Sequence, residues 1–133
     1  MIGQEVDQQN SSDDYTEVDS LDKLTYTNNV CKIRLAADTV MTVAVTVDSG
    51  KSLTIDLNGH TLTAAENSQA FRIQNGALTI EDSGSTGVIQ GSGTVTGNGG
   101  AIWMSSSDSN NALTLTGGTI RGFTATDGGG VYV

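Results

Sequence analysis

The chain has 133 residues, enough for one domain with a core of its own. Its formal net charge of −9 leaves it without the basic patches that nucleic acid and anionic membrane surfaces require, so neither is an expected partner. No stretch is apolar over the length of a membrane span, so no membrane insertion is expected, and the single cysteine, Cys31, excludes an internal disulfide.

There is no proline, and there are 17 glycines. With abundant Thr, Ser, Asn and Asp and short alternating runs of Val, Ile and Leu, this predicts an all-β chain of short strands joined by tight turns. In chain order, residues 1–18 come first. They hold Glu5, Asp7, Asp13, Asp14 and Glu17 among Gln, Ser and Asn. So little apolar surface cannot repay the cost of ordering, so this segment reads as a disordered acidic leader or linker. The Asp, Asn and Gly order of a calcium-binding EF-hand loop is missing from it. Residues 19–28, DSLDKLTYTN, predict a short helix with Asp19 or Ser20 as N-cap and Leu21 and Leu24 turned inward. Such a helix would cap the domain formed by residues 19–133.

From Cys31 the sequence repeats. One series reads CKIRL, LTIDL, LTIED and LTLTG, starting at Cys31, Leu53, Leu78 and Leu113, at spacings of 22, 25 and 35 residues. A second series holds Leu62, Ile89 and Ile120, in HTLTA, GVIQG and GTIRG. A third reads VAVTV, AFRI, AIWM and VYV, at residues 43–47, 70–73, 101–104 and 131–133. The order first, second, third holds throughout, and insertions fall only between series. Three short strands and three corners per repeat describe one rung of a parallel β-helix, a solenoid in which each strand pairs with its counterpart about 4.8 Å away in the next rung. Roughly three to four rungs are expected.

Alternation assigns the inward side chains. They are Cys31, Ile33, Leu35, Leu53, Ile55, Leu57, Leu78, Ile80, Leu113 and Leu115 in the first series. In the third they are Val43, Val45, Val47, Phe71, Ile73, Ile102, Met104, Val131 and Val133. A slip of one residue would bury Lys32, Arg34, Asp56 and Glu81, at several kcal/mol for each unpaired charge. The sequence stops at Val133 in mid-strand. Because an open end exposes backbone and core, the solenoid is expected to continue further or to self-associate through that end.

The run KIRLAADTVMTVAVTVDSGKSLTIDLNGHTLT, followed by GGAIWM, ALTLTGGTIRG and GGGVYV, resembles the β-helix repeat regions of bacterial cell-surface proteins, pectin-lyase-like in fold and common among adhesins. The resemblance covers residues 29–133. It implies a right-handed β-helix, an extracellular or cell-surface setting, and a structural or adhesive role toward a glycan or a surface protein. The fold also hosts polysaccharide lyases and hydrolases, so the N-terminal part of such an enzyme is the alternative.

Three groups of residues carry the candidate chemistry. Arg34, Asp56 and Glu81 fall on one outward row, where a carboxylate pair is the minimum for glycoside hydrolysis and a surface charge ladder is the simpler reading. His60 has no second histidine or cysteine pair to make a metal site and reads as a corner residue, while Cys31 reads as a buried thiol; no cofactor or metal is expected. Arg72, Trp103 and Tyr132 fall on the outward parity of the third series in successive rungs. A tryptophan and a tyrosine on a solvent face, in a chain only 5% aromatic, predict a ligand-binding column, with a purely structural ladder as the alternative. The sequence thus predicts a binding module rather than an enzyme.

Overall fold

The computed structural model describes residues 14–105 and 110–133, and its regular structure is all β. One sheet contains β1 (Thr16–Val18), β2 (Val30–Leu35), β4 (Val45–Asp56), β6 (Phe71–Glu81), β8 (Ile102–Met104) and β11 (Val131–Tyr132) in that spatial order, with β9 (Ala112–Leu115) beside β6. The other has the order β10 (Thr119–Arg121), β7 (Val88–Gln90), β5 (Thr61–Thr63), β3 (Thr39–Val40). Every pairing between these strands is parallel.

The registers join each series to its next copy. Cys31 opposes Leu53, which opposes Leu78, which opposes Leu113. In the second sheet Leu62 opposes Ile89, which opposes Ile120. In the third series Phe71 opposes Ile102, which opposes Val131. Apolar side chains therefore stack on their equivalents, and Leu35, Leu57, Leu62, Phe71, Ile73, Ile89 and Ile102 are fully buried. Each such side chain contributes about 1.5–3 kcal/mol from burial.

The third and first series do not form separate strands. β4 and β6 run through both, bending where Ser49 (φ 53°), Gly50 (φ 76°) and Asn75 (φ 72°) take left-handed conformations and the register shifts between Asp48 and Lys51. One-residue kinks of this kind turn a strand while leaving the ladder nearly continuous, so two sheets stand where three separate strands per repeat were expected. The second sheet also starts one repeat earlier than the apolar pattern indicates. Thr39 occupies the position equivalent to Leu62 and is buried, its hydroxyl donating to the Ala37 carbonyl at 2.9 Å.

The inward assignment fails at the margins. Val43 precedes β4 and is 65% exposed. Leu115 (48% exposed) and Val133 (70%) are likewise not enclosed.

The helical cap is absent: residues 19–28 contain no helix. Ser20 Oγ does accept a hydrogen bond from the Asp22 amide, but Thr25 and Thr27 disfavour helix and Asn28 and Asn29 end the segment in a tight turn. Both asparagines have positive φ, and Thr27 and Val30 exchange backbone hydrogen bonds of 2.8 and 3.0 Å across them. The segment still covers that end of the core in irregular form, with Leu21 buried and Leu24 and Tyr26 packed against the cluster. Part of the segment read as a disordered acidic leader is a strand. Thr16–Val18 form β1, registered on Ile33–Leu35, whereas residues 1–13 lie outside the described residues.

The paired GG phrases are explained by close approach between repeats. Gly99 (φ 78°) and Gly128 (φ 63°) adopt the left-handed conformation glycine tolerates best. Between them the Gly100 amide donates to the Gly128 carbonyl at 2.8 Å. A Cβ on Gly100 would lie 1.8 Å from the Gly129 carbonyl oxygen.

Ile80 and Leu115 occupy one column and allow a matched test by urea unfolding. Ile80→Ala is expected to cost about 2–5 kcal/mol, the range for a buried aliphatic truncation, and Leu115→Ala well under half as much.

Candidate functional site

Two outward columns carry the polar chemistry. In the first, Arg34 opposes Asp56, which opposes Glu81. Parallel pairing sets the two carboxylate residues about 5 Å apart at the backbone, where two charges would repel. Their environment relieves this. Asp56 is buried; Arg34 Nε lies 3.0 Å from its Oδ2, and the amides of Asn58 and Ser83 donate to Oδ1 at 2.9 and 2.8 Å. Burial pushes the Asp56 carboxyl upward, but the Ser83 amide, the Arg34 guanidinium and the Asn58 amide outweigh it and hold it below the usual carboxylate range. The Tyr15 hydroxyl donates to Glu81 Oε1, and that bond, with desolvation, pushes the phenol up to about 12. Arg34 in turn sits over the Tyr15 ring, 4.6 Å from its centroid.

This row therefore differs from the exposed ladder expected from parity, because Tyr15 from the supposed leader lies across it. It is also a poor hydrolytic pair. A general acid needs a raised pKa and the second carboxylate an open approach; here the buried acid is stabilised as the anion and the other is engaged by a phenol. The single aromatic in DDYTEV, followed by alternating residues, is the sequence signal that marked this contact.

The second column holds the predicted site residues. Thr46 opposes Arg72, Arg72 opposes Trp103, and Trp103 opposes Tyr132. Arg72 and Trp103 are brought into contact, the guanidinium carbon lying 4.3 Å from the indole centroid. One face of the indole is thereby occupied by a cation rather than open to solvent. Arg72 Nη1 also donates to Gln69 Oε1 at 2.7 Å, and Gln69 Nε2 donates to the Asn98 carbonyl at 2.6 Å. Gln69 is only 9% exposed. Beside this chain of contacts lies a cleft of ≈ 360 Å³ lined by Asn67, Gln69, Arg72, Thr96, Asn98 and Trp103. Asn67 organises its rim, its Oδ1 accepting from the Thr94 amide at 2.9 Å. Tyr132 continues the column beyond Trp103 but does not line the cleft.

Gln69 and Asn98 are absent from the sequence-based set. One signal existed. Aligning NSQAF with NGGAI and DGGGV puts Gln69 where the next two repeats have Gly100 and Gly129, so a side chain appears where its neighbours have none.

The remaining singled-out residues do not line this cleft. His60 follows the Asn58–Gly59 turn with Nδ1 3.4 Å from Asp38 Oδ1. Cys31 is buried, and burial pushes its thiol pKa up. Among the described residues no group of three or more His, Cys, Asp or Glu side chains is placed to hold a metal ion, and no helix is long and apolar enough to cross a membrane. No protein-family model, curated protein or solved structure matches the chain.

The Asp56 arrangement has a pH signature. A carboxyl held below its unfolded value near 3.9 contributes stability that is complete above that value and is lost as pH falls through the folded pKa. Asp56→Asn is expected to cost about 3 kcal/mol at pH 7, since it leaves Arg34 without its buried counter-charge. Urea midpoints of the two proteins should draw together as pH falls below about 3.9.

Proposed function

We propose that the chain is a right-handed parallel β-helix serving as a structural and adhesive module of a bacterial cell-surface or secreted protein, binding a glycan on the Arg72–Trp103–Tyr132 face. The right hand rests on the general hand of parallel crossovers and on the resemblance of the repeats. In-register parallel pairing of three series supports the solenoid form. The observation that carries the binding reading is the polar cleft beside Trp103, walled by Arg72, Gln69, Thr96 and Asn98. Amide, hydroxyl and guanidinium groups around an aromatic edge are suited to ligands rich in hydroxyl groups. A non-catalytic role is favoured by the state of the carboxylate pair, since Asp56 and Glu81 are both engaged within the fold.

On an array of microbial and host glycans, the chain is expected to bind a restricted set of oligosaccharides. Trp103→Ala should reduce that binding at least tenfold and Tyr132→Ala less, with the circular dichroism spectrum retained. Incubation with the bound glycans should release no shorter products. Turnover abolished by Asp56→Asn or Glu81→Gln would replace this reading with a polysaccharide lyase or hydrolase, and glycan binding unaffected by Trp103→Ala would remove the column from it.

A further inference from the structure

Resting on the glycan-binding reading of this cleft, we infer that its ligand carries a carboxylate: the cleft takes an acidic sugar, with Arg72 as the specificity-determining residue. The inference starts from the chain's cations. Of the six Lys and Arg residues, Lys32, Arg34 and Lys51 have carboxylate partners in Asp14, Asp56 and Asp48. Arg72 is half-buried, yet among the described residues no carboxylate pairs with it. In a protein of net charge −9, acidic partners are plentiful, and a partly desolvated guanidinium without one retains unspent capacity for an anion.

The surroundings hold that guanidinium in place. Gln69 Oε1 accepts from Nη1 at 2.7 Å, the Trp103 ring backs the group at 4.3 Å, and Gln69 is itself tied to the Asn98 carbonyl at 2.6 Å. A guanidinium has five N–H donors in a rigid fork suited to bidentate pairing with a carboxylate. The structure commits one of them, to Gln69. Fixing the fork before binding removes much of the ordering cost that a free arginine would incur.

The ring geometry argues against a neutral sugar as the preferred ligand. A neutral pyranose is held chiefly by stacking on an open aromatic face together with hydroxyl contacts. Here the guanidinium occupies one indole face, so the strongest contact the cleft offers is to charge. Thr96 and Asn98, which also line the cleft, offer polar groups for the ring hydroxyls. The overall negative charge repels an anionic ligand at long range, but that field is screened over about 8 Å at physiological salt, whereas direct pairing with Arg72 is not.

Trp103 is the only tryptophan, so intrinsic fluorescence reports on this cleft. Titrate the chain with sialyllactose and with a hyaluronan tetrasaccharide, which carries glucuronate, and with their neutral counterparts, lactose and the carboxyl-reduced tetrasaccharide. At least one acidic probe is expected to bind tenfold or more tighter than its neutral counterpart. Arg72→Gln should abolish that preference. Gln69→Glu, which keeps Arg72 but gives it an internal carboxylate, should abolish it as well, with thermal unfolding checking that both variants fold. Equal affinity within each pair overturns the acidic-sugar inference while leaving glycan binding in place. A preference that survives in Arg72→Gln also overturns it. Absence of any response to all four probes overturns this inference, while the glycan array decides the binding reading separately.

Discussion

Nearly all of this structure follows from one constraint: each strand forms its backbone hydrogen bonds with the equivalent strand of the adjacent repeat, in parallel and in register. Under that constraint a side chain's neighbours are chosen by the repeat and not by local sequence. An apolar residue meets its own kind, which builds the column Ile33, Ile55, Ile80 and Leu115. A charged residue must likewise meet whatever stands one repeat away. Where that neighbour is a carboxylate, as Asp56 is to Glu81, the fold has to supply compensation from elsewhere, and it does so with Arg34, two backbone amides and the Tyr15 hydroxyl.

The two arginines of the main sheet illustrate how position decides role. Arg34 faces a buried carboxylate, so its charge is spent within the structure and helps keep Asp56 ionised. Arg72 sits on the neighbouring series with a tryptophan one repeat on and a neutral amide beside it. The same functional group is therefore a structural counter-ion in one column and, among the described residues, a cation anchored by neutral groups in the other. The difference lies in what the adjacent repeat presents.

The columns are legible in the sequence because they depend only on spacing and alternation. The stacking of Leu53 on Leu78, and of Arg72 beside Trp103, follows once the repeats are aligned. The helix expected over residues 19–28 is not there because Leu21 and Leu24 can cover an apolar end in extended form as well as helical, and the paired asparagines at 28 and 29 favour a tight turn. Nor does composition reveal that Tyr15 is drawn from an acidic, polar stretch by contacts to Arg34 and Glu81, groups many residues away. The candidate site divides in the same manner. Arg72, Trp103 and Tyr132 share a parity that can be counted, whereas Gln69 and Asn98 act through a corner whose path depends on loop length. Val43 shows the converse error, since alternation was extended one residue pair beyond where the ladder begins.

The repeats also differ in how they pass from the third series to the first. In one repeat residues 74–76 make the passage inside a single strand, β6; in the next, residues 105–111 separate β8 from β9, yet Met104 and Ala112 still register on Ile73 and Ala77. The longer connection leaves the columns on either side of it in register. Corners of this fold are therefore natural grafting points, where new segments can be spliced in and recognition diversified while the stacked interior goes on dictating the same register.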